Sequence, residues 1–183
     1  MIEIRMHGRG GQGAAVSSQI LADAFFHEGK EVQSFPMFGV ERRGAPVAAY
    51  VRVDEKPIYT RCELKDPRYV LVLDPTLVAN VNITGGIKPG GILVINSNDI
   101  SLRERFKGDY KVMLIDGTAI AIKHGLGSRV APIVNTVMLG AFAKATGLVS
   151  IDSVCKSIQE AFPKDKGANA SAAREAYEAL NSN

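Results

Sequence analysis

A glycine-rich stretch near the N-terminus lies where a strand pattern gives way to a helix pattern. Residues 7–13 read HGRGGQG and contain the spacing G-x-G-x-x-G. The glycines are Gly8, Gly10, Gly11 and Gly13, and the polar side chains among them are Arg9 and Gln12. Glycines at such a place permit a tight turn and let a phosphate approach the N-terminus of the next helix, whose backbone N–H groups attract anions.

A dinucleotide-binding loop needs a further residue that this sequence lacks. An acidic side chain about 20 positions later, at the end of the second strand, normally holds the ribose hydroxyl. Here the second strand ends in Ser-Phe-Pro at 34–36. Glu31 lies at the opposite end of that strand, and Glu41 lies in the following loop. NAD binding is therefore disfavoured, and the absence of G-K-[ST] argues against ATP hydrolysis. Two readings stay open: a phosphate site of another kind, or glycines that only let the strand turn sharply.

A second distinctive loop, FGVERRGAPV at 38–47, carries two adjacent arginines. The guanidinium groups of Arg42 and Arg43 can pair bidentately with carboxylates or phosphates. The apolar residues around its start cannot all point inward from a short loop; they are Phe35, Met37, Phe38 and Val40. They either form an exposed patch that binds a partner protein or cover the edge of the sheet.

Other side chains that could do chemistry are isolated in the sequence. Cys62 and Cys155 lie far apart without a C-x-x-C motif, so we expect no metal or iron–sulfur site from this chain alone. Neither His7 nor His124 has a paired nucleophile at a plausible spacing, and both are read as structural or surface residues.

The apolar patterns predict alternating strands and helices, followed by a helical final third. Strands are predicted at 2–7, 31–35, 47–53, 69–74, 90–96 and 111–117. Long helices are predicted at about 12–28, from Pro132 to Gly147, at 151–162 and at 169–181, with short ones in PTLVANV and SLRERF. Val16 is expected on the buried face of the first helix, and the strand at 47–53 is expected to pair antiparallel with a segment near Ile58 and Tyr59.

Two aspartates lie at the ends of predicted strands. Asp74 and Asp116 end two near-continuous apolar runs, and in an open α/β sheet the ligand crevice lies beyond the carboxyl ends of the strands. Each could instead cap the turn or helix that follows. Capping is the favoured interpretation.

The whole pattern predicts one α/β domain over residues 1–183, with a three-layer, Rossmann-like, mainly parallel sheet and an antiparallel strand pair. The composition is that of an ordinary globular protein, and a net charge of +3 is too small to indicate nucleic-acid binding. No apolar run is long enough to cross a membrane. With two isolated cysteines and no signal-peptide pattern, the chain is expected to be cytoplasmic.

Both loops and a later helix, taken together, resemble one protein family. The stretches HGRGGQG at 7–13, FGVERRGAPV at 38–47 and VNTVMLGA at 134–141 are similar, in this order, to the gamma subunits of 2-oxoacid:ferredoxin oxidoreductases. The resemblance covers essentially the whole chain. The form ERRGAP is most similar to the pyruvate branch, the pyruvate:ferredoxin oxidoreductases or pyruvate synthases.

This resemblance implies a chain that is part of an enzyme and inactive by itself. The family interconverts pyruvate, coenzyme A and oxidised ferredoxin with acetyl-CoA, carbon dioxide and reduced ferredoxin. Thiamine diphosphate, Mg and [4Fe-4S] clusters are implied for the complex, in sibling alpha, beta and delta subunits, and none of them for the gamma subunit alone. Ferredoxin is reached through the complex.

For the two loops, the resemblance leaves two roles open. Arg42 and Arg43 fix a subunit interface, which is the favoured reading, or at least one of them contacts the phosphates of coenzyme A. Because both loops follow strand ends, they are expected at the same edge of the sheet. The alternatives for the whole chain are the gamma subunit of a related 2-oxoacid oxidoreductase, a pure assembly scaffold, and an independent nucleotide-binding Rossmann protein.

Overall fold

Strands and helices alternate through the first two thirds of the chain, and helices fill the last third. The computed structural model describes residues 1–37, 43–60, 62–165 and 167–180. The strands are β1 (Ile2–Arg9), β2 (Glu31–Met37), β3 (Pro46–Asp54), β4 (Tyr69–Val72), β5 (Gly91–Asn96), β6 (Tyr110–Ile115), β7 (Gly127–Ser128) and β8 (Ala131–Pro132). The helices are α1 (Ala14–His27), α2 (Ser101–Arg105), α3 (Gly117–Lys123), α4 (Asn135–Thr146), α5 (Ile151–Ala161) and α6 (Ala168–Ala179), with a 3-10 turn at Pro75–Ala79.

Six of the strands form one sheet in the order β2-β3-β1-β4-β5-β6. The run β1-β4-β5-β6 is parallel, with Ile4 opposite Tyr69 in the first of its pairs. Strand β3 is antiparallel to both β1 and β2. The α/β class and the mainly parallel, Rossmann-like sheet are therefore confirmed.

Alternation of side chains along the strands divides the core into two layers. One face of the sheet presents Ile4, Met6 and Val94 to a large apolar cluster that includes residues of α1, α4, α5 and α6. The opposite face of β4 and β5 packs against Ile83 and against Leu102 of α2. Helices and loops thus cover both faces, as the near-continuous apolar strands indicate.

The predicted pairing of β3 with a segment near Ile58 and Tyr59 is wrong. Both edges of β3 are already occupied, since Val53 lies opposite Ile2 on one side and Val32 on the other. The segment after β3 is instead held by the fully buried Arg52, whose guanidinium donates to backbone carbonyls at Thr60 (3.3 Å) and Cys62 (2.8 Å).

Helix α4 begins later than predicted. Pro132 lies in β8, opposite Gly127, and the next residue donates its N–H to the carbonyl of Leu126 at 3.0 Å. Because these residues complete a small hairpin, the helix starts only at Asn135.

Val16 is also misplaced by the sequence pattern, because it is 44% exposed. The buried positions of α1 include Ala14, Ser17, Leu21 and Ala24, and Val16 falls off that helical stripe. Within the described ranges, no helix is both long and apolar enough to span a bilayer.

Candidate functional site

The carboxyl ends of the parallel strands gather polar side chains at one edge of the sheet. Arg9 ends β1, Asp74 follows β4, Asn96 ends β5 and Asp116 follows β6. In open α/β sheets this edge is where ligands bind. It is therefore the place to look for a site.

The glycine loop turns β1 into α1 with two residues in the left-handed conformation, Gly11 (φ 94°) and Gly13 (φ 81°). The loop closes on itself because the backbone N–H of Arg9 donates to Oε1 of Gln12 at 2.7 Å. Gly13 occupies the N-cap position of α1, where no side chain caps the helix and no acidic residue lies in the first turn. The first N–H groups of α1 are thus left without a side-chain acceptor from the cap.

The geometry argues against a dinucleotide site in addition to the missing acid. In a nucleotide-binding βαβ unit the second strand brings its acidic terminus beside the first. Here β3 separates β2 from β1, and β2 ends in Phe35, Pro36 and Met37. Among the residues that the structure describes, no carboxylate lies at the end of β2 to hold a ribose; Glu41 lies outside them.

Both distinctive loops meet at this edge, as the sequence predicts. The N–H of Gly10 donates to the carbonyl of Ala45 at 2.9 Å, and the N–H of Gly44 donates to the carbonyl of Gly10 at 3.0 Å. Arg43 lies alongside, since its Cγ is 3.8 Å from the position that a Cβ on Gly11 would take. Arg42, Phe38 and Val40 lie outside the described residues. We call the glycine loop and residues 43–45 together the two-loop surface.

Arg9 belongs to an internal hydrogen-bond network. Its Nε donates to Oδ2 of Asp74 at 3.1 Å, its Nη2 to the hydroxyl of Thr76 at 2.7 Å, and its Nη1 to the carbonyl of Gly44 at 3.0 Å. Gln12 Nε2 donates to the same Asp74 oxygen at 2.7 Å. We call these five residues the Arg9 network. Each of the three guanidinium nitrogens of Arg9 donates within it, so Arg9 links the end of β1 to Asp74, Thr76 and Gly44.

Asp74 and Asp116 both act as helix caps, which confirms the favoured reading of each. Asp74 accepts from the N–H of Thr76 at 2.9 Å, and Asp116 accepts from the N–H of Ala119 at 2.8 Å. Partial burial of Asp74 raises its pKa, but hydrogen bonds from Thr76 and Gln12 and the charge of Arg9 outweigh burial, so the pKa of Asp74 is lowered. Asp74 therefore stays ionised and keeps its acceptors available for the network.

The N-termini of α1 and α4 converge beside the two-loop surface. A Cβ on Gly13 would lie 2.6 Å from Nδ2 of Asn135, so any side chain there would force Asn135 or one of the helices to move. Asn135 is buried, and its Oδ1 accepts the N–H of Thr136 at 2.9 Å. Its Nδ2 donates to none of the residues that the structure describes. That leaves an amide donor at the entrance of α1.

Three polar residues of this edge escaped the sequence reasoning. They are Thr76, Asn96 and Asn135. Asn96 donates to the carbonyl of Leu73 at 2.9 Å and accepts from the N–H of Thr118 at 3.2 Å, which joins the end of β4 to α3. The sequence does contain a signal for Asn96, because it is a polar residue at the end of an apolar strand.

The two histidines that the sequence singles out lie in different surroundings, His7 inside the protein and His124 in an ion pair. His7 is buried, and its Nε2 has no hydrogen-bond partner among the described residues. Burial, with a smaller contribution from the charge of Arg5, lowers the pKa of His7 to about 4, so its ring is neutral at pH 7. His124 pairs with Glu175 at 2.8 Å, away from the two-loop surface.

Among the described residues, neither cysteine is grouped with further side chains that could hold a metal ion. Cys62 is exposed and Cys155 is buried, and they form no disulfide. In the parts of the chain that the structure describes, no three His, Cys, Asp or Glu side chains are grouped to hold a metal ion. These residues do not fit an iron–sulfur cluster, which requires several thiolates at one place.

Comparison with known proteins agrees with this architecture. The pyruvate ferredoxin/flavodoxin oxidoreductase family matches residues 3–179. Pyruvate synthase subunit PorC of Methanothermobacter thermautotrophicus is 54% identical over 98% of this chain and 96% of that protein. The pyruvate/ketoisovalerate oxidoreductases common subunit gamma of Pyrococcus abyssi is 52% identical over 97% of this chain and 96% of that protein. The crystal structure of pyruvate oxidoreductase subunit PORC (EC 1.2.7.1) from Thermotoga maritima superposes with a TM-score of 0.83 at 36% identity, over 98% of this chain and 97% of that one. This chain therefore belongs to the pyruvate ferredoxin/flavodoxin oxidoreductase family.

Proposed function

We propose that this chain is the gamma subunit of a pyruvate synthase, the enzyme that interconverts pyruvate, coenzyme A and oxidised ferredoxin with acetyl-CoA, carbon dioxide and reduced ferredoxin. The observation that carries the proposal is the 54% identity to a pyruvate synthase subunit over 98% of the chain. The match in fold to a pyruvate oxidoreductase subunit supports it. The chain acts as one gamma-type domain within the assembled enzyme.

Redox and thiamine chemistry belong, in this proposal, to other subunits. Alpha, beta and delta subunits hold thiamine diphosphate with Mg and the [4Fe-4S] clusters, and ferredoxin docks on the complex. Two supports for this division are the separation of Cys62 from Cys155 and the lack of a metal-ligand group among the described residues. The chain therefore contributes surfaces to the enzyme. In this proposal the complex is located in the cytoplasm.

A related substrate is the second candidate. A 52% identical relative is named a subunit common to pyruvate and ketoisovalerate oxidoreductases. A gamma subunit that served two enzymes would contact surfaces that both share, and the keto acid would be selected elsewhere. Assay of the purified complex with pyruvate and with 2-ketoisovalerate distinguishes the two cases.

For the two-loop surface, the described geometry favours a phosphate of coenzyme A over a purely structural interface. Among the described residues, no side chain caps the N-terminus of α1, and the Nδ2 of the buried Asn135 lies beside Gly13 with no acceptor. Arg43, whose Cγ lies 3.8 Å from the position of a Cβ on Gly11, adds a positive charge to this surface. Together these groups suit an anion, because helix N-termini and arginines both attract phosphate. Arg9 takes no direct part in this proposal, since each of its three guanidinium nitrogens already donates to an acceptor within the protein.

The first experiment is affinity purification of the tagged full-length chain from its native anaerobic cytosol. We expect larger subunits to co-purify with iron, thiamine diphosphate and pyruvate-dependent, coenzyme-A-dependent reduction of a viologen dye. A chain that repeatedly emerges alone and inactive would contradict the gamma-subunit proposal.

A second experiment tests the loops. The pair of substitutions Arg42→Ala and Arg43→Ala, made together in the complex, should raise the KM for coenzyme A by about tenfold if one charge-assisted phosphate contact is lost. Failure of assembly with an unchanged KM in the residual complex would favour the interface reading. A raised KM in an intact complex would exclude a purely structural interface.

A further inference from the structure

We infer that Asp74 is a positioning residue for the two-loop surface: by holding Arg9 and Gln12 it fixes residues 43–45 against the glycine loop, and so sets the affinity of the assembled enzyme for coenzyme A. This inference rests on the proposed function. Asp74 touches neither substrate nor cofactor in it. Its action passes through Arg9 to the carbonyl of Gly44.

Asp74 makes contacts that a helix cap does not need. A cap requires one acceptor oxygen for the N–H groups of the next turn, and Oδ1 of Asp74 fills that role toward Thr76. Its second oxygen, Oδ2, accepts from Gln12 Nε2 at 2.7 Å and Arg9 Nε at 3.1 Å. Asp116 caps α3 equally well, yet among the described residues its Oδ2 receives only the amide of Asn98, at 3.2 Å. The difference between these two caps is the Arg9 network.

Hydrogen bonds, rather than packing, hold residue 44 in place. Gly44 has a φ of 85°, and a Cβ built on it would meet no atom within 4 Å. Its carbonyl accepts from Arg9 Nη1 at 3.0 Å, and its N–H donates to the carbonyl of Gly10 at 3.0 Å. Because a guanidinium is planar and rigid, anchoring its Nε on Asp74 also fixes the direction of Nη1. Loss of the anchor therefore weakens one of the three hydrogen bonds that hold residues 44 and 45 to the glycine loop, and so loosens the segment that carries Arg43.

Substitution Asp74→Asn separates the two duties of this carboxylate. The asparagine retains one oxygen that can cap Thr76, but its NH₂ group replaces Oδ2 and meets two donors, Arg9 Nε and Gln12 Nε2. If the amide turns round, the network recovers one acceptor and the cap is lost instead. Asp116→Asn is the matched control, because it makes the same chemical change at a cap without an arginine.

Two measurements on these variants test the inference. In the full-length chain, backbone amide hydrogen exchange at Gly44, followed by mass spectrometry, should accelerate by about tenfold in Asp74→Asn and stay unchanged in Asp116→Asn. In the reconstituted complex, Asp74→Asn should raise the KM for coenzyme A by about fivefold to tenfold with kcat within about twofold of the wild type. Asp116→Asn should leave both constants within about twofold of the wild type.

Thr76 provides the conservative rescue. Its hydroxyl donates to Oδ1 of Asp74 at 2.6 Å and accepts from Arg9 Nη2 at 2.7 Å. Thr76→Val removes the hydroxyl at nearly constant volume and should raise the KM for coenzyme A, as Asp74→Asn does. Thr76→Ser keeps the hydroxyl and should leave this KM near the wild-type value. A general loss of packing would not follow this order.

The inference is overturned if Asp74→Asn and Asp116→Asn change exchange at Gly44 and the KM for coenzyme A equally. It is also overturned if exchange at Gly44 accelerates while the KM stays at the wild-type value. Failure of the proposed function is a different result: the wild-type chain would then form no complex with coenzyme-A-dependent activity, although the exchange experiment on the free chain could still be read.

Discussion

Replacement of Gly13 by alanine tests how closely the glycine loop is fitted to α4. Gly13 has a φ of 81°, and a Cβ there would lie 2.6 Å from Nδ2, 3.2 Å from Cγ and 3.4 Å from Cβ of Asn135. Asn135 is only 4% exposed, so its side chain has little room to turn away. We expect Gly13→Ala to push α1 and α4 apart or to force Asn135 out of its position.

Gly29→Ala is the matched control. Gly29 also lies in the left-handed region, with a φ of 77°, but a Cβ there would meet nothing within 4 Å. Each substitution carries the strain of a left-handed alanine, about 1–2 kcal/mol. Gly13→Ala adds the cost of overpacking, typically about 1–3 kcal/mol. The difference between the two variants is therefore expected at about 2 kcal/mol, larger for Gly13→Ala.

Urea denaturation of the full-length chain, followed by circular dichroism, measures this difference. With a slope of about 2 kcal/mol per molar urea, the midpoint of Gly13→Ala should lie about 1 M below that of Gly29→Ala. Midpoints that agree within about 0.2 M would refute the reasoning, because they would show that Asn135 yields to a methyl group at no cost. In that case the convergence of the two helices could not define the entrance of the candidate site.

Three further predictions concern stability elsewhere in the fold. The unfolded chain binds the His7 proton between pH 6.5 and about 4 while the folded chain does not, so wild-type stability should fall by about 3 kcal/mol as the pH drops through that window, and His7→Gln should abolish this component of the slope in urea titrations at each pH. Gly140→Ala should cost about 3 kcal/mol or more, because its Cβ would lie 1.8 Å from the carbonyl oxygen of Ala173 in α6; a loss below about 1 kcal/mol in thermal unfolding would show that α4 and α6 separate freely. Ser150→Ala should cost about 1 kcal/mol by removing the oxygen that caps Ser153 of α5, whereas Ser150→Asp should keep most of it, as denaturant midpoints would report.

Hydrophobic periodicity was sufficient to predict the main elements of the fold. Near-continuous apolar runs identify β4, β5 and β6, because strands covered on both faces need no polar alternation. The spacing around Val137 and Phe142 identifies α4, and Gly147 in the left-handed conformation ends it as expected. The family, too, is carried by local sequence, since the two loops and the helix at 134–141 suffice to indicate it.

Errors arose where one segment competes with another for the same partner. The stretch VAAYVRV does not itself indicate that β1 and β2 pair with both edges of β3. The pairing with a segment near Ile58 could therefore not be rejected from the sequence. From the sequence alone, Pro132 suits the first turn of a helix as well as it suits a strand. Only its pairing with Gly127 places it in a hairpin. Register and pairing are properties of the assembled sheet.

The candidate site shows the same division between local and tertiary information. By itself the sequence determined that a glycine turn enters a helix, that paired arginines follow the second strand, and that the cysteines are too far apart to form an obvious cluster motif. Only the tertiary structure decided that Arg9 donates hydrogen bonds to Asp74, Thr76 and Gly44, and that Asn135 lies against Gly13. The physical reason is that residue type and spacing fix what a side chain can bond, whereas the residues that it meets are brought by segments 35 to more than 100 positions away.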